Sequence, residues 1–198
     1  MKEGFLAVLK FFLFLLLLPL IVSTAMAFQS EVLSLPVPKE SWFLWGAGVF
    51  VLTFLFVYNF NEVYILGQTI VTNLLKFAQP LVQIGALIIP IYTVLIVCIS
   101  LLLHVLGKAG PFSFWIIFTL AFSVAMHLVV TAHQLYEADT SPLKSHYLLV
   151  FGLAFIANLC IMSLLIGLVI PEYSFLDFFN VLSHQAWASY YKIYRTLL

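Results

Sequence analysis

Charged residues are scarce in this chain. Asp, Glu, Lys and Arg make up 8% of the 198 residues and hydrophobic residues 64%, against roughly 25% and 45–50% in ordinary soluble domains. A water-soluble fold of this size cannot bury that much apolar surface. The shortage of charge therefore excludes a soluble globular domain and predicts an integral membrane protein, which we expect in the plasma (inner) membrane.

The few charges are also balanced, with eight basic and eight acidic side chains. There is no basic surplus to hold nucleic acid and no acidic tail. The partners that we expect are the lipid bilayer and other transmembrane proteins or further copies of this chain, and we expect no nucleic acid.

Cysteine is almost missing too, since only Cys98 and Cys160 occur, each inside a long apolar run. A thiol in such a run behaves as a small hydrophobe, which excludes a disulfide framework. No Asp, Glu, Lys or Arg lies in the middle of a predicted span, and this argues against a proton-coupled transporter or an ion channel. The chain also lacks a Gly-rich phosphate loop and a Cys pair at metal spacing.

Long apolar runs fill most of the sequence, and in lipid such runs must be helices because each satisfies its own backbone hydrogen bonds. We therefore predict an all-α polytopic membrane bundle that forms a single domain over residues 1–198. The five predicted spans cover residues 5–27, 42–58, 86–106, 112–135 and 147–170.

The first run allows two interpretations. Lys2, the apolar stretch and the triplet Ala25-Met26-Ala27 resemble a signal peptide with its cleavage site. The apolar stretch is longer than a usual signal-peptide core, so we predict a retained first helix.

Two further segments are amphipathic. Residues 61–79 place apolar side chains at helical spacing, with polar ones on the other side, and Pro80 ends the segment. Residues 174–198 begin with a capping box at Ser174 and then carry a stripe of aromatic and aliphatic side chains. We predict that this last helix lies in the membrane interface.

The orientation of the chain across the membrane does not follow from the predicted spans. If the chain starts in the cytoplasm, each side receives the same number of basic residues: Lys2, Lys10, Lys76 and Lys144 inside, and Lys39, Lys108, Lys192 and Arg195 outside. Since the positive-inside rule needs an excess on one side, it gives no answer here.

Histidine supplies the candidate chemistry inside the spans. His127 and His133 form a possible polar intramembrane site, although six residues apart they cannot chelate one ion as an i, i+4 pair would. One alternative is a b-type haem held by His104 and His127. Another is an enzyme that uses His127, His133 and Asp139. The plainer interpretation is that His127 bonds to a neighbouring helix.

The amphipathic segment after the second span carries a recognisable pattern. It reads Tyr64-Ile65-Leu66-Gly67-Gln68-Thr69-Ile70-Val71-Thr72, which resembles the Tyr-x-x-Gly-His-Glu-x-x-His helix of site-2-protease-like membrane metallopeptidases. Further stretches resemble the later helices of that family: Ile89-Pro90-Ile91-Tyr92, Thr119 to His133, Phe151 to Asn158 and Pro171 to Arg195.

That resemblance implies a peptidase scaffold whose zinc motif has been replaced. Gln68, Thr69 and Thr72 stand where the family has its first histidine, its glutamate and its second histidine. Glutamine is a poor zinc ligand, and a threonine hydroxyl does not ionise near neutral pH and so cannot act as the general base. We therefore expect no catalytic residue, no metal and no cofactor.

The function that the sequence predicts is a non-catalytic, pseudoprotease-like protein that binds or scaffolds other membrane proteins, as a subunit of a membrane complex. The first alternative is a small structural or accessory subunit unrelated to proteases. The second is the haem-bearing redox subunit that uses His104 and His127. The direction of the side chains on the 61–79 helix distinguishes the predicted scaffold from the plain accessory subunit. A scaffold turns Gln68, Thr69 and Thr72 into the bundle, whereas a plain interfacial helix turns its threonines to water.

Overall fold

The structure is a computed structural model that describes residues 2–56, 60–77, 85, 87–140 and 144–197. Every regular element within these residues is helical, which confirms the predicted all-α class. Seven α-helices, α1 to α7, cover Lys2–Leu33, Val37–Phe56, Asn61–Leu74, Ile91–Val105, Ser113–Ala138, Ser145–Val169 and Phe175–Leu197, and a 3-10 turn over Gly110–Phe112 precedes α5.

Three of these helices are long and apolar enough to cross a membrane: Gly4–Leu33, Gly110–Ala138 and Ser145–Val169. A fourth crossing results if α2 and α3, which are bent by 119° relative to each other, count as one span. The chain is therefore an integral membrane protein with several helical spans. The prediction of five spans is matched only at this coarser level.

The predicted third span differs most from the structure. α4 covers Ile91–Val105, or 15 residues, which extend about 22 Å, less than the hydrocarbon core of about 30 Å. Pro90 lacks a backbone donor and immediately precedes the helix. The predicted bounds at positions 1, 58, 79, 86 and 198, and Pro80, lie outside the described residues.

The helices alternate in direction between two ends of the bundle. Lys10 Nζ lies 3.5 Å from His146 Nδ1, so α1 and α6 start at the same end, which we call the Lys10 end. Lys39 Nζ donates to Glu172 at 2.6 and 2.7 Å, so α2 begins and α6 ends at the opposite, Lys39 end.

α2 and α5 lie parallel and in close contact. The Trp42 and Phe114 rings stack at 5.9 Å near the Lys39 end, and Phe50 meets Phe122 edge-on at 5.2 Å further along. Between them, Gly46 lies so close to α5 that an added Cβ would come within 2.2 Å of the Phe118 carbonyl oxygen. The missing side chain is what permits this approach.

The main core lies between α5 and α6. Leu120, Met162 and Ile166 have no solvent exposure and belong to one cluster with residues of α1, α2 and α4. Apolar side chains on several faces of these helices are thus buried against one another.

α7 packs along α1 rather than standing apart from the bundle. Phe178 and Leu182 pack against Ala27, and further along Tyr190 Oη donates to the Leu16 carbonyl at 2.8 Å. The sequence number rises along α7 as it falls along α1, so the two helices are antiparallel. The stripe of this helix, for which we predicted a position in the membrane interface, is in contact with α1 on its inner side.

Candidate polar site inside the membrane

The helix that carries the altered motif, α3, turns one side into the bundle. Tyr64, Gly67 and Val71 are buried on it. Gln68 and Thr72 are half-buried at the edge of that side, while Thr69 is exposed and its hydroxyl donates to the Ile65 carbonyl of the same helix at 2.8 Å. The three motif positions therefore do not converge on one interior point.

Tyr64 connects α3 to α5. Its hydroxyl lies 2.6 Å from Thr131 Oγ1, and both residues are buried. The Tyr64 ring also contacts the His127 imidazole, with 5.7 Å between ring centroids. Tyr64, the tyrosine of the motif, is therefore in contact with His127, the candidate histidine inside the spans.

His127 is buried and bonds to the backbone in front of α4. Its Nε2 lies 3.2 Å from the Leu87 carbonyl oxygen, and since that oxygen can only accept, Nε2 must carry the hydrogen. Asn158 of α6 is fully buried and donates its Nδ2 to the same oxygen at 3.4 Å. The carbonyl of Leu87 thereby joins two side chains from two spans.

We call these groups the His127 cluster: Tyr64, Thr131, His127, Asn158 and the Leu87 carbonyl. A second polar contact lies one turn away, where Thr93 and Ser123 hydroxyls are 3.0 Å apart and buried. Together these contacts tie α3, α4, α5 and α6. In lipid, such hydrogen bonds across helices stabilise their association.

His133 does not belong to this cluster. It is half-exposed, lies 3.2 Å from Glu137 one turn later in α5, and packs its ring edge-on at 6.3 Å from Phe54 of α2. The structure therefore places the two histidines of the predicted polar site on different sides of α5.

His104 lies far from His127. It is exposed near the end of α4 and lines a cavity of about 240 Å³ with Ser113 and Ile117 of α5. His127 follows Ile117 by ten residues, or about 15 Å along the helix. Because both imidazoles of a bis-histidine haem must reach one iron, this arrangement does not form that site.

Asp139 has a structural contact at the end of α5. It is 5% exposed, and its Oδ2 accepts the Tyr147 backbone N–H in the first turn of α6 at 2.8 Å. An acidic side chain is favourable at a helix start. In the sequence, Ser141 and Pro142 suit an N-cap followed by a proline at the first helical position, but both lie outside the described residues.

The arrangement is better suited to holding helices together than to catalysis. The Nε2 hydrogen of His127 is committed to a carbonyl, and the other members of its cluster are an amide and two hydroxyls, none of which ionises near neutral pH. Over the described part of the chain, no group of three or more His, Cys, Asp or Glu side chains could share a metal ion.

Sequence reasoning found part of this cluster. It singled out His127, and Ser, Thr and Asn side chains inside spans, Asn158 among them, are expected to join helices because they need partners there. It did not foresee the Leu87 carbonyl as their shared acceptor. The signal available was Pro90, because a proline interrupts the helical hydrogen-bond ladder beside it and backbone carbonyls inside lipid then need other donors.

Fold and site together define an all-helical integral membrane protein with a buried polar cluster. No protein family, no curated protein and no solved structure matches the chain. The likeness to site-2-protease-like peptidases therefore rests on the quoted residues alone.

Proposed function

We propose that this chain is a non-catalytic, pseudoprotease-like membrane protein that binds or scaffolds other transmembrane proteins as a subunit of a membrane complex. The observation that carries the proposal is that α3 keeps the tyrosine and the glycine of the metallopeptidase pattern buried in the bundle, as Tyr64 and Gly67, with Thr69 where the pattern requires a glutamate. Its hydroxyl is bonded back to the Ile65 carbonyl and faces outward, so it is neither a base nor directed at the His127 cluster.

The His127 cluster supports the same proposal. Zinc takes histidine, cysteine or carboxylate ligands, and the helix offers an amide and two hydroxyls at its three motif positions. His127 is engaged by the Leu87 carbonyl instead. The His127 cluster is therefore a set of contacts between helices around α3, the helix that carries the altered motif.

The outer surface supports binding to other helices. α1 exposes Phe5, Phe12 and Leu16, each at least 60% accessible, and α2 exposes Leu55 and Phe56 to a similar degree. In a bilayer such surface contacts either lipid chains or another transmembrane helix, where close van der Waals packing favours association.

Metal analysis and activity measurements test the loss of catalysis. Purified protein in detergent should contain no stoichiometric zinc and should leave transmembrane peptide substrates intact. A stoichiometric zinc ion that disappears in His127→Ala or His133→Ala would overturn the proposal.

Cross-linking in native membranes tests the partner. We expect specific transmembrane proteins to co-purify with the cross-linked chain, and the same species to be lost when an outward residue such as Leu55→Trp changes the surface. Ile99→Trp on α4, 57% exposed, is a matched control at a second surface position. Recovery of this chain alone, in monomeric form, would contradict the proposal.

A plain accessory subunit unrelated to peptidases is the second candidate, and the outward direction of Thr69 favours it. Single cysteines distinguish the two. A scaffold derived from the peptidase plan shields Gln68→Cys and Thr72→Cys from a water-soluble maleimide, whereas an interfacial helix leaves Thr69→Cys and Thr72→Cys equally reactive.

A further inference from the structure

The path of α7 changes which charges share a side of the membrane. Tyr190 bonds to the carbonyl of Leu16 on an antiparallel helix. Arg195 follows Tyr190 by five residues and Lys10 precedes Leu16 by six, which carries each about 8–9 Å from the contact towards the Lys10 end. Lys192 and Arg195 therefore lie near the level of Lys10, and not at the opposite side.

With α7 in this place the basic residues are unequally divided. Five of the eight are at the Lys10 end: Lys2, Lys10, Lys144, Lys192 and Arg195. Lys39 and Lys108 are at the other end, where Glu172 pairs with Lys39 at 2.6 Å. Lys76 follows α3, which packs beside Tyr92 of α4 and is bent by 119° relative to α2, and we assign it to neither side.

The last turns of α7 also carry an aromatic band. Trp187, Tyr190, Tyr191 and Tyr194 line a shallow groove of about 410 Å³, and the Arg195 guanidinium lies 5.9 Å from the Tyr191 ring centroid. Indole and phenol rings favour the headgroup layer, and basic side chains extend into it along their apolar stems.

We infer that the Lys10 end faces the cytoplasm, so that the start of α1 and the end of α7 lie on that side. Basic residues near span ends accumulate on the cytoplasmic side, whose leaflet attracts them through anionic headgroups. The aromatic and basic end of α7 is in contact with those headgroups and adds two of the five charges that set the orientation. This inference does not depend on the proposed function.

Sided cysteine labelling tests the orientation in the full chain. In a Cys98→Ala, Cys160→Ala background, Ser34→Cys and Ala109→Cys report the Lys39 end, and Glu137→Cys and Thr196→Cys report the Lys10 end. In intact bacterial cells a membrane-impermeant maleimide should label the first pair, and should label the second pair only after permeabilisation.

Two patterns overturn the inference. Labelling of Glu137→Cys and Thr196→Cys in intact cells reverses the orientation, and opposite results at these two positions contradict the antiparallel path of α7. A second test uses no cysteine variants and so does not depend on their folding. Green fluorescent protein fused to the end of the otherwise unmodified chain should fluoresce, because it does so only in the cytoplasm. A dark fusion in membranes that contain the full-length product also overturns the inference.

A charge variant tests the contribution of α7. Lys192→Gln with Arg195→Gln leaves three basic residues against two, so we expect a several-fold rise in labelling of Glu137→Cys from outside. Lys39→Gln with Lys108→Gln removes as many charges from the other end and should leave that labelling at its starting level. Equal labelling in both double variants overturns the role of the α7 charges.

Discussion

His127 illustrates how a single residue joins three parts of the bundle. Its imidazole donates to the Leu87 carbonyl and contacts the ring of Tyr64, while Asn158 approaches the same carbonyl from α6. A neutral histidine can do this inside a membrane because it supplies a donor without carrying a charge.

Replacing His127 should destabilise the protein more than replacing His133. His127→Phe keeps an aromatic ring but leaves the Leu87 carbonyl with only the longer bond from Asn158, so we expect a loss of about 1–2 kcal/mol in unfolding free energy. His133→Phe, at a half-exposed site, should change little. Denaturation in detergent, followed by tryptophan fluorescence, measures both, and equal losses would contradict the cluster as described.

Tyr64 and Thr131 should be energetically coupled. Tyr64→Phe and Thr131→Val each remove one side of the 2.6 Å contact, so the double variant should lose less than the two single losses combined. The expected coupling energy is about 0.6–1.7 kcal/mol. Strict additivity in a double-mutant cycle would mean that the hydroxyl contact contributes nothing.

The ion pair between Lys39 and Glu172 should make stability depend on pH. The hydrogen bond from Lys39 lowers the pKa of Glu172 below its ordinary value of 4.5, so the folded state binds this proton less readily than the unfolded state. Its contribution is present above about pH 4.5 and is lost as the pH falls through the lowered pKa. The effect is small because both side chains are partly exposed, at 24% and 42%.

Glu172→Gln should remove this part of the acid dependence. Between pH 6 and pH 3, in thermal melts in detergent, its midpoint should fall less than that of the unchanged protein, and Lys39→Met should behave in the same way. A variant that keeps the full acid dependence would show that other carboxylates account for it.

At the scale of elements, small residues decide how closely helices pack. Gly46 of α2 faces the backbone of α5, while Gly48 has nothing within 4 Å of its would-be Cβ. Both glycines are in the same helix and the same sequence context, so they form a matched pair for substitution.

Gly46→Ala should therefore force α2 away from α5. A methyl group placed 2.2 Å from a carbonyl oxygen requires the backbone to move, and overpacking of this kind costs about 1–3 kcal/mol. Gly48→Ala should be neutral or slightly stabilising, since alanine favours a helix. A comparison of unfolding midpoints decides this, and a neutral Gly46→Ala would contradict the close approach.

Much of the element plan could be predicted from sequence. The runs at 112–135 and 147–170 correspond to α5 and α6 because uninterrupted apolar residues must satisfy their backbone hydrogen bonds within one helix. α4 could not be predicted as a short helix, since the apolar run continues through Pro90 and composition alone does not show where the helix begins.

At the scale of the whole molecule, the position of α7 has the widest consequence. Its inner side, with Phe178, Leu182 and Ala186 buried, covers α1 and brings the end of the helix back to the Lys10 end. An unpartnered amphipathic stripe looks the same in sequence whether a lipid surface or another helix covers it.

Cross-linking should detect this antiparallel packing in membranes. In the cysteine-free background, Leu16→Cys with Tyr190→Cys should be joined in high yield by a short bismaleimide, because the native side chain of Tyr190 reaches the Leu16 carbonyl. Leu16→Cys with Phe179→Cys, eleven residues back along α7, should not be joined. Equal yields for the two pairs would rule out the packing described.

The sequence by itself determined that the chain lies in a lipid bilayer and that its backbone is helical. Scarce charge and long apolar runs leave the bilayer as the one environment and the α-helix as the one way to satisfy the backbone there. Only the tertiary structure decided which polar groups meet and which charges share an end, because the Leu87 carbonyl, His127 and Asn158 are distant in sequence and the direction of α7 depends on its packing against α1. Those contacts depend on how helices pack in three dimensions, which periodicity along one helix does not record.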